Sequence, residues 1–308
     1  MSRYLVTGAA GFVGSHLCEA LEAAGDEVVA VDCFTDYYDP ALKEANAAGR
    51  AVVRADLAEA DLAPLLAGVD GVFHLAGQPG VRSFGDVFEL YLRRNVLASQ
   101  RLFEAAARAG TRVVFASSSS IYGEAEGYPT REDALPRPLS PYGITKLACE
   151  HLARATELAF GLDVVALRYF TVYGPRQRPD MAFTRILEAL AAGTAFDLYG
   201  DGSVSRSFTF VADAVEATIA AMERGRGGST FNVGGGEEAT MREAIALCER
   251  VSGRTLDLRL KPSAKGDAPR TAADTTRIRE ALGWEARTPL EAGLQAQWSW
   301  VSAKVGRR

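Results

Sequence analysis

The sequence is poor in the residues that carry metal and redox chemistry. Its 308 residues include three histidines and four cysteines. Cys18, Cys33, Cys149 and Cys248 have no C-x-x-C or metal-ligand spacing, which argues against a zinc site or a thiol redox centre and reads as reduced, mostly packed thiols suited to a cytosol. His16 lies in an apolar-periodic helix and His74 inside an apolar strand; neither has a metal-partner pattern, and both read as structural. Long hydrophobic runs are also missing. No stretch reaches ~18 apolar residues and no charged leader with a long apolar region precedes the first strand, so neither a membrane span nor export is expected. There is no excess of positive charge either. With 34 basic against 39 acidic residues the net charge is −5, so nothing draws the whole chain to nucleic acid or an anionic membrane, and any phosphate site must be local. No internal repeat or low-complexity tract is present.

What is present is an alternation of apolar strands and helices in a chain that is 48% hydrophobic, enough for two lobes or one large α/β unit. Tyr4–Thr7 is a short apolar run that ends in Gly8-Ala9-Ala10-Gly11-Phe12-Val13-Gly14 and passes into an apolar-periodic stretch to about Ala24. This reads as strand, glycine turn and helix. Gly8 permits the tight turn, Gly11 lets a pyrophosphate approach the backbone, and Gly14 allows close helix packing, while the helix N-terminus offers unpaired amides. The next strand, Glu27–Val31, ends at Asp32, eighteen residues after Gly14. A carboxylate there accepts hydrogen bonds from ribose hydroxyls and repels a 2′-phosphate; with no lysine or arginine at 33–35, NAD is favoured over NADP.

Ala51–Leu57 reads as the third strand, with Asp56 and Leu57 where an adenine would lie. Gly71–Leu75 is the fourth, running into Ala76-Gly77, and Arg112–Ala116 the fifth. Such a pattern predicts a Rossmann-type, doubly wound parallel sheet whose ligands gather at the carboxyl ends of the strands. The stretch from Asp86 to Ala109 predicts one long helix with apolar residues on more than one face. Together with a helix starting near Tyr142, it suggests either a homodimer formed through a helical bundle or a helix buried within a monomer.

The chemistry concentrates in two nearby stretches, Ser117-Ser118-Ser119-Ser120-Ile121-Tyr122-Gly123 and Ser140-Pro141-Tyr142-Gly143-Ile144-Thr145-Lys146. Tyrosine and lysine four apart on a helix share a face. A phenol titrates near ~10, and an ammonium within a few ångströms stabilises the phenolate and lowers that value. Tyr142 could then exchange a proton with a substrate hydroxyl. An isolated pair of this kind is more often two surface residues, but only five of the 34 basic residues are lysine, which argues against Lys146 being filler. A serine hydroxyl at the end of the fifth strand can bond the same substrate oxygen.

Gly8, Gly11, Gly14, Asp32, the serine run before Tyr122-Gly123, and Tyr142 with Lys146 together resemble the extended short-chain dehydrogenase/reductase family that acts on nucleotide sugars. The resemblance covers almost the whole chain. It implies Ser118 as the catalytic hydroxyl, Tyr142 as base and Lys146 as its partner, with Ser119 beside the sugar and NAD bound tightly and recycled. Leu167–Pro175 resembles the turn between a cofactor lobe and a substrate lobe, implying an NAD-binding domain at 1–168 and a smaller α/β UDP-sugar domain at 169–308, with 208–233 a candidate to return to the first. Leu198–Gly202 and Ser205–Val211 resemble the nucleotide-binding part, in which Arg206 would meet the diphosphate. Gly266–Arg270 resembles the stretch in which Asp267 meets the uridine ribose beside Arg270. Thr171 departs from the many relatives that carry asparagine there, which puts that amide's diphosphate contact in doubt.

The serine run also discriminates between reactions. Relatives that eliminate water carry Asp-Glu after the catalytic hydroxyl, and decarboxylating ones carry Glu at the second position; here Ser119 and Ser120 supply no acid. Oxidation and return at one carbon is then the better reading. Gly174–Ala182 and Gln78–Arg82 resemble the UDP-glucuronate 4-epimerases more than the UDP-galactose ones. Oxidising glucuronate at carbon 4 makes a β-keto acid, which loses CO₂ when the carboxylate bond aligns with the carbonyl π system. Arg178, assisted by Thr171 and Arg82, is expected to hold the carboxylate out of that alignment; the plain alternative is an Arg178–Asp180 loop salt bridge. The expectation is a cytoplasmic, homodimeric enzyme that interconverts UDP-glucuronate and UDP-galacturonate through a 4-keto intermediate. The alternatives are a UDP-glucose 4-epimerase, a UDP-glucuronate decarboxylase and, from another class, a non-catalytic NAD(H)-reading scaffold.

Overall fold

The computed structural model describes residues 1–80, 85–262 and 269–305. The chain forms strands β1 (Arg3–Thr7), β2 (Glu27–Asp32), β3 (Val52–Arg54), β4 (Gly71–His74), β5 (Arg112–Ser118) and β6 (Val164–Tyr169). They are followed by β7 (Thr171–Tyr173), β8 (Phe196–Tyr199), β9 (Ser205–Phe210), β10 (Thr230–Val233), β11 (Glu238–Thr240), β12 (Leu258–Lys261) and β13 (Arg270–Thr271). Seven of them make a parallel sheet in the order β10-β6-β5-β4-β1-β2-β3. The order reverses between β1 and β4, and a sheet of this kind opens a crevice at its carboxyl edge where that happens.

The central strands are apolar through their length because helices cover both faces. Phe12–Ala23 and Val211–Arg224 pack with Val6, Phe73 and Val165 on one side. Ala98–Ala109 and Pro141–Phe160 cover Leu5, Val72 and Phe115 on the other. The last strand comes from far along the chain: β10 pairs with β6, Phe231 opposite Leu167, so residues 230–233 return to the edge of this sheet.

The remaining strands are shorter. β9 pairs with β11 and β13 through its first residues and with β7 through its last three, while β8 and β12 form a separate parallel pair. Helices Ala182–Ala192, Met241–Ser252 and Leu290–Val305 surround a third core built on Tyr173, Phe183, Leu187, Phe208 and Leu294. The doubly wound sheet with a smaller α/β region is thus the expected fold class.

One element differs from expectation. In place of a single helix over Asp86–Ala109, the chain forms a 3₁₀ turn (Gly85–Val87), an α turn (Phe88–Tyr91), a π turn (Leu92–Leu97) and then the helix Ala98–Ala109. The wider π turn inserts a residue and rotates the face that follows, which buries Asn95 while Phe88, Leu92 and Leu97 stay exposed. His74 is structural as expected: its Nδ1 pairs with Thr7 Oγ1 at 2.8 Å and its Nε2 with Ser99 Oγ at 2.9 Å. Cys18, Cys149 and Cys248 are buried free thiols and Cys33 is exposed. No helix among the described residues is long and apolar enough to cross a membrane.

Candidate active site

The carboxyl edge of the large sheet opens into a cavity of about 940 Å³ that continues past β7 to β9. At its floor lies the glycine turn. A side chain on Gly14 would place its Cβ 2.1 Å from the Gly8 carbonyl oxygen, so that position admits only glycine and the helix comes hard against the turn. Helix Phe12–Ala23 starts at Gly11 with no side-chain cap, leaving its first amides directed at the cavity end. Asp32, at the end of β2, accepts from Ala10 N at 3.1 Å and from Phe34 N at 2.8 Å, which fixes its carboxylate between the turn and the strand exit. Phe12, Val13, Asp56, Leu57, Leu75, Ala76 and Gly77 complete this half of the lining. A dinucleotide fits such a cradle: an uncapped helix end, glycines where a Cβ would intrude, and a carboxylate one strand away.

The three residues expected to act together are brought together. β5 runs to Ser118, whose Oγ caps a single 3₁₀ turn by accepting from Ser120 N at 3.1 Å. Helix Pro141–Phe160 starts beside that turn: Ser140 Oγ accepts from Gly143 N at 3.1 Å and Pro141 occupies the first helical position. Gly143 allows the approach, since a Cβ there would lie 2.5 Å from the Ser120 carbonyl oxygen. Tyr142 therefore enters the cavity next to the serines. Lys146, one turn later and buried, donates to the Ala116 carbonyl at 2.8 Å and lies 5.9 Å from the Tyr142 ring centroid. Ser117, by contrast, gives its hydroxyl to Glu150.

The other half of the cavity holds Thr171, Arg178 and Arg206. Arg178 grips Asp180 with two bonds, Nε to Oδ1 at 2.9 Å and Nη2 to Oδ2 at 3.0 Å, and Tyr37 donates to the same Asp180 at 3.3 Å. Burial opposes the Arg178 charge, but Asp180 and the Tyr142 and Tyr37 phenols outweigh it and raise its pKa; the guanidinium is within electrostatic reach of Tyr142. Arg206 Nη1 donates to the Ser205 carbonyl at 2.7 Å. Arg270 does not join the lining: it pairs with Glu238 at 2.7 and 2.9 Å and stacks its guanidinium over Tyr128. Arg82 and Asp267 lie outside the described residues.

Several residues of the site are not evident from sequence. Asn95 accepts from Gln78 N at 2.6 Å and donates to the Gln78 carbonyl and to Thr145 Oγ1, tying the loop after β4 to the Tyr142 helix. Lys43 is buried against Thr35, its Nζ donating to the carbonyl at 2.9 Å and to Oγ1 at 2.7 Å. Arg185 lines the cavity from the helix Ala182–Ala192, its guanidinium over Phe196. A lone arginine in the apolar run Met181–Leu190 is the signal that could have found it. Among the described residues no group of histidine, cysteine and carboxylate side chains could hold a metal ion.

Comparison with known proteins is consistent with this geometry. The model of the NAD dependent epimerase/dehydratase family matches residues 4–234. A Bacillus subtilis protein described as an uncharacterized UDP-glucose epimerase is 40% identical, with 98% of each chain covered. The crystal structure of UDP-glucuronic acid 4-epimerase from Bacillus cereus, in complex with UDP-glucuronic acid and NAD, superposes with a TM-score of 0.94 at 38% identity, covering 98% of this chain and 99% of that one. MoeE5 in complex with UDP-glucuronic acid and NAD gives 0.89 at 43% identity over 98% and 99% of the two chains.

Proposed function

The chain belongs to the NAD dependent epimerase/dehydratase family, and from that premise we propose that it interconverts UDP-glucuronate and UDP-galacturonate by oxidation and re-reduction at carbon 4 of the sugar. In this reading Tyr142 takes the proton of the 4-hydroxyl and later returns it. Ser118 holds the same oxygen, and the Lys146 ammonium offsets the charge that develops on the phenol. NAD, held by Gly8, Gly11, Gly14 and Asp32, supplies the acceptor for the carbon-4 hydride and its return to the opposite face. Ser119 and Ser120 bring no acid to the sugar, so elimination has no proton donor there.

The observation that carries the choice of substrate is Arg178, a guanidinium that lines the same cavity as Tyr142. An arginine lining the cavity in which carbon 4 is oxidised suits a carboxylate whose carbon lies two bonds from it. Held there, with Thr171 alongside, the carboxylate is kept out of line with the 4-keto group and CO₂ is retained. Arg206 is assigned to the diphosphate, Arg82 to the carboxylate beside Arg178 and Thr171, and Asp267, with Arg270 beside it, to the uridine ribose. A UDP-glucose reading has one observation in its favour: Arg178 is already satisfied by Asp180, as a neutral sugar would leave it.

Residues 1–168, with 208–233 returning, are assigned as the NAD domain and the rest of 169–308 as the UDP-sugar domain. Exposed Phe88, Leu92, Leu97, Ile144 and Leu158 on adjoining helices support a homodimer, and the unpaired thiols support a cytoplasmic setting. The deciding experiment follows UDP-glucuronate by NMR with the purified protein and no added cofactor. UDP-galacturonate is the expected product, formed on NAD that arrives bound. UDP-pentose would replace epimerisation by decarboxylation, and turnover of UDP-glucose alone would select the neutral substrate.

A further inference from the structure

The stretch from Gly174 to Met181 carries Arg178 into the cavity, and neighbouring side chains in it are fixed to different parts of the molecule. Gln177 is buried on the side of the smaller sheet, where its Oε1 accepts from Thr184 N at 3.2 Å and Gln297 Nε2 at 3.0 Å and its Nε2 donates to the Val172 carbonyl at 3.1 Å. Arg176 goes the opposite way, onto the helix Phe12–Ala23. Its Nη1 donates to Glu19 Oε1 at 2.7 Å, and its Nη2 donates to Glu19 Oε2 at 2.5 Å and to His16 Nδ1 at 2.8 Å. His16 Nε2 in turn donates to the Pro175 carbonyl at 2.9 Å. Both His16 and Glu19 stand on the helix whose first turn is the glycine cradle.

Arg176 has a backbone φ of 63°, the left-handed region that side chains other than glycine rarely adopt. Such a conformation persists only where the surroundings over-determine it, and it gathers near functional sites. Here the two-pronged contact with Glu19 supplies the constraint: the Arg176 side chain is 15% exposed, and the Glu19 carboxylate that receives both prongs is 53% exposed. Two residues further on, lining the cavity, stands Arg178.

We propose that Arg176, seated on Glu19 and His16, is a positioning residue that sets the reach of Arg178 and so sets the preference for a UDP-sugar bearing a carboxylate over a neutral one. The inference rests on the reading of Arg178 as the carboxylate clamp. It also explains an economy of construction: the helix that receives the cofactor at its N-terminus registers the substrate arginine from its middle. A bidentate guanidinium–carboxylate contact is lost with a displacement of about 1 Å. Arg206, assigned to the diphosphate, lines the cavity from β9 rather than from this turn.

The test measures binding of UDP-glucuronate and of UDP-glucose to NAD-loaded protein by calorimetry, with the pentose share of the product read by NMR. Arg176→Ala and Glu19→Ala are each expected to weaken UDP-glucuronate about tenfold, equivalent to about 1.4 kcal/mol. UDP-glucose should stay within about twofold, the pentose share should rise, and Arg176→Lys should recover part of the loss. Glu19 is exposed, so its variant keeps the test valid if Arg176→Ala does not fold. Equal weakening of both ligands, or of neither, overturns the inference. Arg178→Ala separates the two claims. If it leaves UDP-glucuronate binding unchanged, the clamp reading falls; if it weakens binding while the Arg176 and Glu19 variants do not, only the positioning role falls.

Discussion

Lys146 is a buried cation that spends its hydrogen bond on a backbone carbonyl rather than a carboxylate. Its ammonium meets the Ala116 carbonyl and the faces of Phe115 and Tyr142, and among the described residues no aspartate or glutamate pairs with it. A salt bridge would have neutralised the charge locally; left as it is, the field reaches the phenol one turn away. Tyr142→Phe keeps the ring and removes the hydroxyl proposed to carry the proton, so it is expected to lower kcat by about 10²–10⁴-fold while NAD remains bound. A non-catalytic scaffold would keep its function in that variant. His74 is the counter-case, an imidazole with no part in the chemistry. Burial, and to a smaller degree the Lys146 charge, push its pKa down to about 3. The folded state therefore refuses a proton that the unfolded chain accepts below about 6.5. The sign is that stability is full above that value and falls as the pH drops towards 3, by up to about 1.4 kcal/mol per pH unit. Denaturant titrations across this window should show the slope, and His74→Gln should remove one proton's worth of it.

Helix Pro141–Phe160 holds its place through a polar network one turn beyond Lys146. Glu150, one turn after Lys146, receives Arg168 of β6 in two bonds, at 3.0 and 2.7 Å, and also the Ser117 hydroxyl. Arg168 Nη1 reaches Tyr122 OH and the Glu132 carbonyl, both at 2.8 Å. Helix Pro141–Phe160, β5 and β6 are thus fixed to one buried ion pair. Breaking it by Glu150→Leu strands a buried guanidinium and should cost about 3–5 kcal/mol in urea unfolding, whereas Glu150→Leu with Arg168→Met should cost clearly less. If the single and double variants are equally unstable, the pair is not what holds the helix. Little of this network was legible beforehand. The strands, the glycine turn and the Tyr142–Lys146 pair are local patterns, set by apolar runs or by a spacing of four, and they lie where expected. Asn95 with Thr145, Glu150 with Arg168 and Tyr37 with Asp180 are partners 50, 18 and 143 residues apart. No periodicity encodes such contacts; they exist only once the sheet has closed. The π turn at Leu92–Leu97 was hidden for a related reason, since its apolar residues satisfy an ordinary helical period until Asn95 must face Gln78.

At the scale of the whole molecule, the cavity and the apolar helix faces divide the chain's work. Every described residue assigned to NAD, and Tyr142, Lys146, Arg178 and Arg206 with them, lines one cavity within one chain. Chemistry therefore needs no second copy. Several exposed apolar side chains gather on two other segments, Phe88–Leu97 and Pro141–Phe160, where Phe88, Leu92, Ile144 and Leu158 are each more than a third exposed. Two helical segments with unburied apolar faces suit a two-fold bundle, in which each copy covers the other with the same surface. The protein is then expected to sediment at twice its chain mass of 32.9 kDa. Leu92→Glu combined with Ile144→Glu places a charge on each face and should shift the species to the monomer at micromolar concentration. Because these helices also carry Asn95 and Tyr142, freeing them from a partner should loosen the site without emptying it. The monomer is expected to keep its NAD and to lose part of its turnover. A wild-type protein that sediments as a monomer would remove the dimer and leave those side chains as plain surface; a dimer that persists in the double variant would move the interface to another face.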